Sequence, residues 1–230
     1  MRIVILTGAG ISAESGLATF RAEDGLWNGY SVDKVATFDG YRADPQYVLD
    51  FYNDRRADVA NAQPNAAHIA IAKLQASKHD VFLVTQNVDD LHERAGSKQV
   101  CHMHGSLAEA RCMSCECIYP ANAVMKTEYR CIRCGQQTVR PDIVWFGEMP
   151  KEMDEISSKL FICDYFLAIG TSGNVYPAAH FVRTAKKKKA HTIEFNINRS
   201  ENANDFRERI IGPASETVSK WVDEFLAADI

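Results

Sequence analysis

Cys112, Cys115, Cys131 and Cys134 form two C-x-x-C pairs with fifteen residues between them. Four thiolates at this spacing suit a tetrahedral Zn²⁺, each pair supplying half of the shell from a tight turn. A complete Cys₄ shell leaves no position open for water, so the zinc it implies is structural. Cys101, Cys117 and Cys163 remain as packed or spare thiols. A second run, TGAGISAESG, places Gly8, Gly10 and Ala13 in a G-x-G-x-x-G/A pattern. Glycine there lets a pyrophosphate approach backbone N–H groups, although a plain strand-to-helix turn satisfies the same pattern. TQNVDD carries Gln86, Asn87 and Asp89. Their amide and carboxylate groups can bond hydroxyls or a carboxamide, or Asp89 or Asp90 can cap a helix. HMHG offers two imidazoles, His102 and His104, whose ordinary pKa of about 6.5 suits a general base. Their i, i+2 spacing would equally place two metal ligands on one side of a strand.

These residues need elements to carry them. RIVILT, VFLVTQ, YFLAIG and HTIEFN are apolar, β-branched runs that end in polar residues or glycine, which predicts strands buried on both faces of a parallel sheet. DPQYVLDFYNDRRADVANA predicts a helix capped by Asp44 with Pro45 at its first position, and PNAAHIAIAKLQAS and SETVSKWVDEFLAA predict two more. Alternating strands and helices imply an α/β fold, a doubly wound, Rossmann-like parallel sheet whose ligands bind beyond the carboxyl ends of the strands. The cysteine-rich stretch breaks that alternation and reads as a small inserted zinc-binding module. The expected division is a large part over about 1–30, 80–105 and 146–230. The small part then comprises a helical stretch, 31–79, and the zinc module, 106–145. His68 reads as a packed structural histidine, and the lysine run 186–189 as a solvated helix end.

With 230 residues, 46% of them hydrophobic, the chain can bury a sizeable core. A net charge of −4 gives no basic excess, so direct nucleic-acid binding is not expected. No apolar run reaches the roughly 20 residues of a membrane span, and the first residues do not read as a signal peptide. Paired cysteines in a seven-cysteine chain suggest reduced thiols on a metal, hence a soluble cytoplasmic enzyme.

A dehydrogenase would continue the glycine turn with a second strand and an acidic residue about 20 residues on. TFRAEDGLWNGY stands there instead. With GAGISAESG, TFRAEDGLW, TQNVDDLHERAG, HMHGS, the cysteine pairs, VWFGE and GTSGNVYPAA in that order, the chain resembles the sirtuins, NAD-dependent protein lysine deacylases, over nearly its whole length. That resemblance implies attack of an acyl-lysine oxygen on C1′ of the nicotinamide ribose, giving nicotinamide, O-acyl-ADP-ribose and free lysine. It assigns the general base to His104, a catalytic role also to Asn87, and a structural one to His102.

The same resemblance implies NAD contacts at Gly8, Ala9, Gly10, Ile11, Ser12, Ala13 and Glu14, and at Phe20, Arg21 and Trp27 of a cofactor loop. Further contacts fall on Gln86, Asn87, Val88 and Asp89, on Gly170, Thr171 and Ser172, and on Asn196, Ile197, Asn198 and Ala214. Asn198 stands where many sirtuins have glutamate. Val144, Trp145, Phe146, Gly147 and Glu148 resemble the segment that pairs with an acylated substrate peptide. Tyr52 and Arg55, at i and i+3, match a Tyr-x-x-Arg pair that recognises acidic acyl groups in class III sirtuins, so desuccinylation is expected beside deacetylation. Acylated-lysine proteins are the expected partners, and the chain is expected to act as a monomer. A protein ADP-ribosyltransferase and a zinc-ribbon nucleic-acid-binding module remain as alternatives.

Overall fold

The apolar runs named above form the centre of a six-stranded parallel sheet. The computed structural model describes residues 1–21, 26–27, 29–121 and 124–228, with the backbone alone for Phe20, Arg21 and Leu26. Across the sheet the strands run Glu208–Ile211, His191–Asn196, Tyr165–Ile169, Arg2–Thr7, Asp80–Thr85 and Val100–His102. The chain builds outward from Arg2–Thr7 in one direction and then returns to add Tyr165–Ile169 on its other side. The order therefore reverses between these two neighbours, where an open α/β sheet leaves a crevice.

Side chains alternate across the sheet, so each strand feeds two cores. On one face Ile3, Ile5, Leu83, Leu167 and Ile169 meet the helices Ala66–Gln75 and Ala214–Ala228. On the other, Val4, Leu6, Phe166 and Ala168 meet Met153–Ile162 and Phe181–Lys187. Ala67, Ala70, Ile71 and Leu74 fall at i, i+3, i+4 and i+7 on Ala66–Gln75 and bury its stripe against the sheet. Residues 66–75 thus pack with the large part, a correction to the boundary drawn at 79. His68 on that helix is fully buried, and its Nδ1 accepts the Asn65 N–H in a capping box.

The strands Gly105–Cys112, Ile118–Pro120 and Val139–Ile143 form a separate antiparallel sheet. It shares a core with the helix Pro45–Asn61 through Leu107, Ala110, Val139, Ile143, Val48, Phe51 and Tyr52. That helix starts as its sequence predicts, with the Asp44 carboxylate accepting the Tyr47 N–H at 3.0 Å and Pro45 in the first turn. Its far end is held by Arg94, which donates to the carbonyls of Val59 at 3.0 Å and Ala62 at 2.5 Å. Among the described residues no helix is long and apolar enough to cross a membrane.

Candidate active site

The carboxyl ends of Arg2–Thr7, Asp80–Thr85 and Tyr165–Ile169 open into a cleft of about 670 Å³. Two glycine turns meet at its floor, with the Gly10 N–H donating to the Gly170 carbonyl at 2.9 Å. A Cβ built on Gly8 would lie 2.7 Å from the Gly170 oxygen, and one on Gly10 would lie 2.7 Å from the Gly170 Cα. Neither turn can accept a side chain while the other is in place, so the floor is bare backbone. Such a surface suits close approach of a phosphate group.

The polar residues after Asp80–Thr85 are fixed from beneath. Thr85 Oγ1 accepts the Asn87 N–H at 3.0 Å and the Thr7 hydroxyl at 2.8 Å. The Thr7 oxygen lies 2.9 Å from His92 Nε2. Asn87 Nδ2 then donates to Ser12 Oγ, and Ser12 to Asp89 Oδ2, each at 3.1 Å. Asp89 Oδ1 also takes the Leu91 N–H at 3.1 Å, so Asp89 both starts the next helix and stands in the cleft. Burial raises its pKa, against the opposing pull of those two hydrogen bonds. Ser12, Asn87 and Asp89 thus form one connected, buried set, with side-chain freedom already removed.

His104 lines the cleft, its Nδ1 3.2 Å from the Gln86 carbonyl oxygen. That contact requires the proton on Nδ1 and leaves Nε2 as the basic nitrogen. Burial lowers the His104 pKa, and the Gln86 carbonyl opposes this only in part, so the ring is neutral near pH 7. The next residue, Gly105, has φ 83°, and a Cβ there would come within 1.8 Å of the Asp142 carbonyl. Only glycine lets the Val139–Ile143 strand pass so close, and immediately beyond it the Val144 N–H donates to the His104 carbonyl at 2.8 Å.

His102 points elsewhere. Its Nε2 lies 2.7 Å from Glu93 and its Nδ1 3.1 Å from the Asn87 carbonyl. Burial lowers its pKa, but Glu93, the Asn87 carbonyl and the Asp89 charge together oppose it and the net direction is up. Both His102 nitrogens are thus engaged, and among the described residues the four cysteines are the one group of three or more side chains placed to hold a metal.

Residues 144–148 form the opposite wall. The segment joins no sheet; Phe146 makes a lone parallel bridge to Thr37 and is 53% exposed. Its shape is set by Arg140, a buried residue beneath it. Arg140 donates to Glu148 Oε1 at 2.5 Å and to the Ile143 carbonyl at 3.0 Å, and its guanidinium lies 4.0 Å from the Trp145 ring centroid. Glu148 Oε2 accepts the Trp145 N–H at 2.8 Å. The Trp145 indole donates to the Tyr52 oxygen at 3.0 Å, which leaves the Tyr52 hydrogen available as a donor. Burial raises the Tyr52 pKa, so the phenol stays protonated.

Beside Tyr52 the cleft is lined by Arg55, Asp58, Val59, Val88 and Leu107. It also takes in Gly8, Ala9, Gly10, Ser12, Trp27, Gln86, Gly170, Thr171, Ser172, Asn196, Ile197 and Asn198. Ile11, Ala13, Glu14 and Ala214 do not line it. Ile11 and Ala214 are packed in the core of the large part, and the Glu14 carboxylate accepts the Ser215 N–H at 3.0 Å, tying down the start of the last helix. The Phe20 and Arg21 side chains lie outside the described residues. The sequence did not single out Thr7, Thr85, Asp58 or Arg140. Asp58 stands three residues beyond Arg55, so helical spacing alone could have found it. Nothing local marks Arg140.

The cysteines lie outside the cleft. Their four Sγ atoms all fall within 4.8 Å of one another, with Cys112–Cys134 at 3.6 Å and Cys115–Cys131 at 3.7 Å. A tetrahedron with Zn–S bonds of about 2.3 Å has edges of about 3.8 Å, so the thiols fit zinc. Each C-x-x-C turn is closed by a residue with positive φ, Glu116 at 57° and Gly135 at 74°, whose N–H donates to the first cysteine's carbonyl at 2.9 Å.

A model of the Sir2 family matches residues 8–177, from the first glycine turn past the third strand of the cleft. The chain belongs to the Sir2 family. It is 50% identical over 232 residues to a protein of Caulobacter vibrioides named NAD-dependent protein deacylase, covering 99% of this chain and 98% of that relative. Among solved Sir2 structures, a Sir2 homologue in complex with NAD superposes with a TM-score of 0.90 at 40% identity, over 98% of this chain and 90% of that one. Sir2Af2 bound to a myristoylated histone peptide superposes with a TM-score of 0.77 at 32% identity, over 99% and 93%. Family membership agrees with the six-stranded parallel sheet and the four-cysteine cluster.

Proposed function

We propose that this Sir2-family chain is an NAD-dependent protein lysine deacylase that removes acetyl groups and, through Tyr52 and Arg55, succinyl groups. The observation that carries the reading is one cleft joining two bare glycine turns, the Ser12–Asn87–Asp89 set, a neutral His104 and the 144–148 wall. The deacylase name of the Caulobacter vibrioides relative supports it. So do the NAD and the acylated peptide bound by two structural neighbours.

The glycine turns and residues 170–172 would take the pyrophosphate of NAD on backbone groups. Asn87 and Asp89, already locked by Ser12, would bond the ribose and carboxamide without losing further side-chain freedom. NAD, when bound, would supply an electrophilic ribose carbon, so that with one water consumed the acyl group leaves as O-acyl-ADP-ribose, with nicotinamide and free lysine as the other products. His104 would take a proton from a ribose hydroxyl at Nε2, its Nδ1–H held by the Gln86 carbonyl. The extended 144–148 segment would bind peptide backbone, giving affinity with little side-chain selectivity. Tyr52 and Arg55 would receive the acyl end, their hydroxyl and guanidinium together able to hold a carboxylate.

The test is turnover of one peptide carrying acetyl-lysine or succinyl-lysine with NAD, read by mass spectrometry. Both forms should yield nicotinamide and the matching O-acyl-ADP-ribose; ADP-ribosylated protein without acyl loss would favour the transferase alternative. Arg55→Met should lower kcat/KM for the succinyl peptide by about tenfold or more, the weight of a charge-assisted hydrogen bond, and affect the acetyl peptide far less. Equal losses would remove Arg55 from acyl recognition.

A further inference from the structure

A carboxylate beside Arg55 in the cleft belongs to the protein itself. Arg55 Nη2 and Asp58 Oδ2 lie 2.5 Å apart, one helical turn from each other on Pro45–Asn61, and both residues line the cleft. The Arg55 side chain is 9% exposed, whereas that of Asp58 is 52% exposed. Val59, Val88 and Leu107 are apolar residues that line the same cleft. A buried cation thus lines the cleft with a half-exposed anion beside it.

We infer that Asp58 is a specificity-determining residue that limits the preference for acidic acyl groups by offering Arg55 an internal carboxylate. The inference rests on the reading that Arg55 meets the acyl group. The Arg55–Asp58 pair is neutral as a unit, so a neutral acyl chain enters without leaving an unpaired buried cation. An acidic acyl group must either displace Asp58 or share the guanidinium with it. The five donors of a guanidinium allow sharing, but two carboxylates then repel each other at close range. Both routes penalise the acidic substrate relative to the neutral one. Because Asp58 is half exposed, solvent screens the penalty and the effect is moderate.

The experiment is steady-state kinetics on acetyl and succinyl forms of one peptide, at low and high salt. The proteins are the unmodified chain, Asp58→Asn, Asp58→Glu, Arg55→Met and the Arg55→Met/Asp58→Asn double variant. Asp58→Asn should raise the succinyl-to-acetyl ratio of kcat/KM about fivefold, mainly through a lower succinyl KM, and less so at high salt. Asp58→Glu, which keeps the charge, should hold the ratio within about twofold of the starting value, and the double variant should lose the Asp58→Asn gain. A ratio unmoved or lowered by Asp58→Asn, while Arg55→Met remains selective against succinyl, overturns the inference and leaves the Arg55 reading standing. A gain that persists without Arg55, or that Asp58→Glu reproduces, overturns it as well. If Arg55→Met weakens both substrates equally, the Arg55 reading itself fails, and the inference falls with it.

Discussion

In the cleft, polar side chains are held by other polar side chains beneath them, whereas in the cysteine module four thiols face one another on turns that leave Met113 and Ile132 exposed. Thr7, Thr85, Asn87, Ser12 and Asp89 form a continuous buried series rooted in the large sheet. The module contributes Leu107, Ala110, Cys112, Tyr119, Met125, Cys131, Val139 and Ile143 to a shared core but leaves Ile132 at 71%, Val124 at 65% and Ile118 at 41% exposure. The turns that carry the cysteines add little to that core and need another source of closure, which a Cys₄ metal shell would supply. The cleft is organised by its scaffold, the module by its ion.

Removing that ion should have the largest effect. A strong chelator should abolish deacylation together with the fold of residues 106–145, seen as new protease cleavage there and a lowered Tm. Added Zn²⁺ should restore both in parallel. Loss of turnover with the module still protected would break the contrast, because it would give the metal a chemical role.

Next in size is His104→Tyr, expected to lower kcat by about 10²-fold or more while Tm changes little, the usual weight of a general base. The acid limb of kcat/KM in the unmodified chain checks the same residue. Burial lowers the His104 pKa, and the neutral ring is the active form. Activity should therefore hold through the ordinary histidine value of about 6.5 and fall only as pH drops below it. A limb at or above that value would mean that another group is being titrated. The smallest effect is expected from Thr85→Val, which leaves the Asn87 N–H and the Thr7 hydroxyl without their shared partner. Stability should drop by about 1–3 kcal/mol in urea unfolding, and Thr85→Ser should recover most of it.

The central strands were legible because a strand buried on both faces must be apolar throughout and must end where polar residues meet the cleft. Val100–His102 and Glu208–Ile211 were not, since both lie at sheet edges, are short, and carry polar residues that leave no such run. The helix 66–75 was recognised as a helix but grouped with the wrong part, because periodicity reveals a buried stripe and not its partner. The same limit applies to the site. Residues facing the cleft fall in recognisable runs such as QNVD and HG, while their supports at Thr7, Thr85 and Arg140 are single residues in ordinary strands. Ile11, Glu14 and Ala214 show the converse, since a motif carries core and capping residues along with those that face a ligand.

The contact between the His104 carbonyl and the Val144 N–H joins the proposed base to the proposed peptide wall by one hydrogen bond of 2.8 Å. The three cysteine-bearing and neighbouring strands, from Gly105 to Ile143, are spliced into the chain between those two residues. A mutational scan plotted along the sequence would therefore show two separate peaks with a metal-dependent plateau between them, although in space they are one site. Grafting or deleting the module would have to preserve that single closure, with Gly105 intact, or the base and the wall would drift apart while every other element of the cleft kept its place.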